Sequence, residues 1–270
     1  MNGVIFQIGE NEIRLPLSKK LSKDEKNYLR VLNNGIDNVI QYTIKWLDTS
    51  EADNLLNVDE DEFIDEFVSS NLYSNLNSIF LENSNNGKKL ISRFYKIGSK
   101  LGYDDIGHIL PVMPSDNKAL NILTNHVGDV VINVNVECGI GIQDELLLGA
   151  MNNVERDKLK ENILMVPFVP IRNVLNVTSR CGLIARTEYG RAINTGVLQA
   201  YSNSGVNQVN INTTGLPNVC DDCLLLESNN PYSLEEAMQL LPLHPQCACS
   251  YSPVHDSIEN NEDVVVIDLT

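Results

Sequence analysis

The chain has 270 residues and a mass of 30.1 kDa, enough for one large domain or two modest ones, and its 43% hydrophobic and 21% charged residues are ordinary for a globular protein. A formal net charge of −16 and a pI near 4.6 argue against nucleic acid or an anionic membrane as partner of the whole chain. No run approaches the roughly 18 apolar residues of a membrane helix, and residues 1–10 lack the basic and apolar regions of a secretory signal. Folding in a reducing cytoplasm is therefore the expectation.

Residues 4–17 alternate loosely, as a short strand or extended arm would. Ser22 and Glu25 fit a capping box, and Leu29, Leu32, Ile36, Val39, Ile40, Ile44 and Leu47 follow at helical spacing. The pattern predicts an amphipathic helix over 23–47, either core or a partner-binding face. Residues 51–66 carry eight acids and no base, with Phe63, Ile64 and Phe67 at helical spacing among them. Helices are expected over 69–82 and 88–101, separated by an Asn/Gly-rich loop at 83–87. A turn at 111–117 leads to mostly helical segments at 119–136 and 143–151. Within the first, residues 130–136 alternate β-branched residues with Asn and could be a strand. Pro167 and Pro170 suggest a boundary.

A helix beginning at Thr178 and Ser179 has one apolar face, from Ile184, Ala185 and Tyr189 to Ala200 and Tyr201, and Gly205 ends it. Residues 206–212 read as a half-buried strand, 234–241 as a short helix and 248–254 as a last strand. No lysine occurs after Lys160; Arg172, Arg180, Arg186 and Arg191 supply the later positive charge. The division expected is a mostly helical region at 1–170, a module at 176–255 and an acidic tail at 256–270. The fold class is α+β: a mainly α-helical N-terminal region with a small α+β C-terminal module stapled by a Cys/His cluster.

Four of the six cysteines carry that cluster, as Cys220-x-x-Cys223 and Cys247-x-Cys249, with His244 three residues before Cys247. The tight turn of C-x-x-C aims two thiolates at one point, and zinc takes four S or N donors in a tetrahedron. Pro217, Pro242 and Pro245 restrict the flanking backbone. The metal candidates are Cys220, Cys223, His244, Cys247 and Cys249, five for four places, with structural zinc as cofactor. Disulfides in an oxidising setting and free buried thiols stay open as alternatives. A catalytic zinc has less support, because zinc deaminases pair C-x-x-C with an upstream His-x-Glu and the chain has none. Cys138 and Cys181 read as isolated core residues. His108, His126 and His255 have no partner pattern, and Gly139-Ile140-Gly141 lacks the lysine of a phosphate loop.

Three blocks within residues 179–254 resemble the phage Mu F-like minor head proteins, the phage head morphogenesis family. The first is Ile184-Ala185-Arg186-Thr187-Glu188 with Ala192, Asn194, Tyr201, Gly205 and Val206. The second is Cys220-Asp221-Asp222-Cys223 with Tyr232. The third, the most specific, is Leu241-Pro242-Leu243-His244-Pro245-Gln246-Cys247-Ala248-Cys249. The resemblance implies a virion component with no enzymatic activity. Such a protein is present in few copies inside the head near the portal, after assembly in the host cytoplasm. Its implied partners are portal, capsid and scaffold proteins, with packaged DNA as a further contact and no membrane or small-molecule substrate. Ala248 stands where the family usually has a basic or polar residue, and the module is not basic; both features lower the weight of DNA contact. Two other classes are set beside it. Arg186 and Glu188 could serve an ADP-ribosyl or nucleic-acid processing enzyme, although Glu188 and Arg191 are spaced to pair along a helix and Thr187 to bond back to a helix carbonyl. Arg186 could also grip a portal carboxylate. A zinc-ribbon-like nucleic-acid binder is the third class.

Overall fold

The computed structural model describes residues 3–8, 11–16, 22–107, 117–169, 177–215 and 219–254. His108, most of the turn at 111–117, Pro170, Arg172, Pro217, His255 and the acidic tail lie outside these residues. The architecture is mostly helical, with a three-stranded antiparallel sheet near the C-terminus and the Cys/His cluster nearby. Among the described residues no helix is long and apolar enough to cross a membrane.

The chain groups into two compact units, Met1–Leu90 with Asn125–Ala185, and Ile91–Thr124 with Arg186–Thr270. A boundary read from Pro167 and Pro170 is a chain-order boundary. In chain order the two units change over at residues 90/91, 124/125 and 185/186.

In the first unit, β1 (Gly3–Ile8) and β2 (Asn11–Pro16) pair antiparallel, with Gly3 opposite Pro16. Helix α1 (Lys23–Trp46) starts at the expected capping box: the Glu25 N–H donates to Ser22 Oγ at 3.2 Å, and Glu25 Oε2 accepts from the Ser22 N–H at 2.6 Å. Its apolar stripe, Leu29, Leu32, Ile36, Val39 and Ile40, is buried. The acidic segment forms α2 (Ser50–Leu55) and α3 (Glu60–Ser69), which bury Leu55, Phe63 and Phe67. Glu51 is structural: its carboxylate accepts from Trp46 Nε1 at 2.8 Å and from the Asn71 N–H at 2.6 Å.

Two expectations fail here. Residues 83–87 are not a loop, because α4 (Asn71–Asp105) runs through them. Asn83 and Ser84 are buried; Asn83 Nδ2 donates to Asn135 Oδ1 at 3.4 Å, and Ser84 Oγ to the Gly128 carbonyl at 3.2 Å. Side chains that favour loops elsewhere here find partners on α5 (Asn117–Met151), and tertiary contacts override propensity. Residues 130–136 are likewise helix, inside α5. Val127, Val131, Val134, Cys138, Ile142 and Leu146 form a buried stripe spaced three or four apart, which only a helix presents on one face. Helix α6 (Arg156–Met165) follows and buries Leu159 and Ile163. Cys138 and Cys181 are fully buried as expected, and burial pushes the Cys138 thiol up to about 12. An ion pair between Arg180 and Glu137 lies beside them.

The second unit contains most of α7 (Val177–Asn203), the later part of α4, and the sheet. Gly205 has the left-handed φ of 73° expected of a residue closing a helix. Strand β3 (Gln208–Asn212) is central. It pairs with β4 (Tyr232–Ser233) through Val209 and Tyr232, and with β5 (Ser250–Pro253) through Ile211 and Tyr251. Between the strands lie α8 (Asp221–Ser228) and α9 (Leu234–Ala237), the latter opened by a capping box of Ser233 and Glu236. Val209, Ile211, Tyr251, Val197, Tyr201, Leu241 and three of the cysteines form one small core.

Where β4 stops, the side-chain amide of Asn230 continues it. The amide accepts from the Ile211 N–H and donates to the Ile211 carbonyl, both at 2.8 Å. Asn230→Ala leaves both groups of the central strand without that partner. The expected cost is about 1–3 kcal/mol, read as a lower midpoint in urea denaturation; an unchanged midpoint would show that water replaces the amide.

Candidate metal centre

The first arm of the site is the start of α8. Cys220 is the N-cap, with extended backbone (φ −75°, ψ 157°), and Cys223 stands three residues on, in the first turn. This is why C-x-x-C suits the position: both sulfurs lie at the end of the helix where free N–H groups favour negative charge. The Cys223 backbone N–H is the leading cause that holds the Cys220 thiol below its ordinary range. Cys223 is buried, and desolvation pushes it up to about 12.

The second arm is a tight turn. The Cys247 N–H donates to the His244 carbonyl at 3.0 Å, with Pro245 and Gln246 between and Gln246 at φ 66°. Proline at the second position and a left-handed residue at the third are the signature of a type II turn. Glycine or asparagine is usual at that third place, and a glutamine there costs about 1–2 kcal/mol. Helix α7 supports it: the Gln246 N–H donates to Thr187 Oγ1 at 3.0 Å, and Arg186 Nη1 donates to Gln246 Oε1 at 3.4 Å. Two turns along the same helix, Asn194 Nδ2 donates to the Cys249 carbonyl at 3.0 Å.

The arms meet at their sulfur and nitrogen atoms. His244 Nε2 is 3.1 Å from Cys220 Sγ and 3.3 Å from Cys223 Sγ, and Cys223 Sγ is 4.0 Å from Cys247 Sγ. Two trios, Cys220–Cys223–His244 and Cys223–Cys247–Cys249, each keep their donor atoms within 4.8 Å of one another and share Cys223. All five residues singled out in the sequence are thus gathered, with Cys223 at the centre.

The donor chemistry fits a metal ion. Thiolate–zinc bonds near 2.3 Å and imidazole–zinc bonds near 2.0 Å place neighbouring tetrahedral donors about 3.5–3.8 Å apart; the separations of 3.1, 3.3 and 4.0 Å fall on either side of that range within the two trios. His244 Nδ1 is 2.8 Å from the Pro245 carbonyl, which can only accept, so the proton sits on Nδ1 and the Nε2 lone pair faces Cys220 and Cys223. That bond is also the leading cause raising the His244 pKa. Hydrogen bonding from the Cys249 thiol holds Cys247 down to about 5, while the same contact and burial push Cys249 up. This Cys/His cluster is one that could hold a metal ion.

Other sequence candidates take structural places. Arg186 and Glu188 are buried, and Glu188 Oε2 accepts from Arg191 Nε at 3.0 Å, the expected pairing along the helix. Burial takes Arg186 away from the role of a surface grip on a portal carboxylate, and Thr187 has the Gln246 backbone as a partner. His126 is exposed, and residues 139–141 lie within α5 and form no phosphate loop. The sequence reading missed Gln246 and the bracing by Thr187 and Asn194. Their sequence trace was membership of the family-like blocks, with Thr187 and Asn194 in the first and Gln246 in the third. Comparison of the chain with family models, curated proteins and solved structures returns no match.

Proposed function

We propose that the protein is a minor head component of a tailed phage or prophage, whose C-terminal module is held together by a structural zinc ion. One observation carries this reading: the three sequence blocks that resemble Mu F-like head proteins are bonded into one unit. Arg186 and Thr187 of the first block hold Gln246 of the third, Asn194 holds Cys249, and Cys220 and Cys223 of the second face His244 and Cys247. The proposed ligands are four of Cys220, Cys223, His244, Cys247 and Cys249, which are gathered as two trios that share Cys223. Zinc supplies folding energy there and no chemistry. The proposed site of action is inside the head near the portal, in contact with portal and capsid or scaffold proteins. The burial of Arg186 and Glu188 supports a bracing role over transfer chemistry. The acidic charge weighs against a nucleic-acid binder.

Mass spectrometry of tailed-phage particles purified from the producing strain tests the assignment. The expected result is this chain in a few copies per particle, in the fraction that holds the portal. Its absence from heads that contain portal and capsid proteins would overturn the reading.

A further inference from the structure

We infer that Thr187 and Asn194, flanking Gly190, form a rail on α7 that positions the second arm of the metal centre, so that metal affinity depends on this helix face. The inference rests on the zinc reading above. The three residues are spaced three and four apart, which puts them on one side of the helix in successive turns. Each meets a different point of the cysteine arm. Thr187 Oγ1 accepts from the Gln246 N–H at 3.0 Å. A Cβ on Gly190 would stand 3.5 Å from the Cys247 carbonyl oxygen, an ordinary contact, so the second arm runs along this face of the helix with room for a methyl there. Asn194 Nδ2 donates to the Cys249 carbonyl at 3.0 Å.

The arm needs such a guide. Gln246 has a left-handed backbone, φ 66°, that it does not favour on its own, and this residue sets the direction in which the chain leaves His244 and enters Cys247. Thr187 fixes the turn before Cys247, and Asn194 fixes the chain after it at Cys249. Neither side chain is a proposed ligand. Both act one bond removed, through the backbone that carries the sulfurs, as partners outside the ligand set do at other metal sites.

The test uses the full chain under reducing conditions. Zinc affinity is measured by competition with a chromophoric chelator, and the visible spectrum of the Co²⁺-substituted protein reports thiolate geometry. Thr187→Val and Asn194→Leu are expected to weaken zinc binding by about 10–100-fold and to shift the cobalt bands, with far-UV circular dichroism at saturating metal unchanged. Thr187→Ser, which keeps the hydroxyl, is expected to match the wild type. In the double variant Thr187→Val/Gln246→Gly, glycine accepts the left-handed backbone and should recover part of the lost affinity. This also covers the case in which Thr187→Val alone folds poorly. Wild-type affinity and an unshifted cobalt spectrum in both Thr187→Val and Asn194→Leu would overturn the inference and leave the zinc reading intact. A folded wild type that takes up neither zinc nor cobalt would overturn both.

Discussion

Cys223→Ser is expected to release zinc and to lower the thermal midpoint of the second unit by more than about 10 °C. Cys223 belongs to both donor trios, lies 3.3 Å from His244 Nε2 and 4.0 Å from Cys247 Sγ, and is part of the small core with Val209, Ile211 and Tyr251. The substitution therefore removes a proposed ligand and an apolar contact together. Structural zinc contributes on the order of 10 kcal/mol to folding of small modules. Even a third of that moves the midpoint of a unit of about 120 residues by roughly 10 °C or more. Chelation of the wild-type protein should give the same loss, and zinc should restore it. Cys249→Ser should have a smaller effect, because Cys249 belongs to one donor trio and Cys223 to both. Cys181→Ala, in the other unit, should leave the zinc content unchanged. Zinc affinity should fall as the pH falls, since protons compete for the sulfurs and for His244 Nε2, and binding must displace the proton that burial holds on Cys223 up to about 12. Elemental analysis and melting curves decide the matter. A purified chain without zinc, whose Cys223→Ser variant melts with the wild type, would reduce the cluster to buried thiols.

The parts of this molecule that could be read in advance are those whose cause is local. Ser22 and Glu25 are three residues apart and cap the same helix end. Gly205 closes α7 because a left-handed residue is needed where it stands. The cysteine cluster was legible because its spacing carries the chemistry: C-x-x-C at a helix start brings two sulfurs together before any tertiary contact forms. The errors lie where distant contacts decide. Asn83 to Gly87 has the composition of a loop, yet Asn83 and Ser84 bond to residues 52 and 44 positions away and the helix continues. Residues 130–136 alternate as a strand would, and only the longer stripe from Val127 to Leu146 shows the helical period. The support of the Gln246 turn spans 59 residues to Thr187, and that of Cys249 spans 55 to Asn194. Nothing near either end announces it.

Gly196→Ala and Gly190→Ala, six positions apart on α7, are expected to change stability in opposite directions. Alanine is the better helix former by about 1 kcal/mol, so a glycine inside a helix ordinarily invites this replacement. At Gly190 the new methyl would find its nearest neighbour, the Cys247 carbonyl oxygen, at 3.5 Å, an ordinary contact, and a gain of up to about 1 kcal/mol is expected. At Gly196 the same methyl would stand 2.2 Å from the Tyr95 carbonyl oxygen and 2.6 Å from the Ser99 N, and a Cβ on Gly98 would stand 2.1 Å from the Ile193 carbonyl oxygen. These neighbours are backbone of α4 and α7, which cannot swing aside as a side chain would. Relief requires the two helices to separate, and with them Phe94 and Tyr189, whose rings meet edge to face at 5.0 Å. Overpacking of this kind costs about 1–3 kcal/mol or more, which outweighs the gain in helix propensity. Gly196→Ala and Gly98→Ala should each lower the urea midpoint, and Gly98→Val should leave the second unit unfolded. If Gly196→Ala is as stable as Gly190→Ala, the close helix approach is not a determinant of the fold.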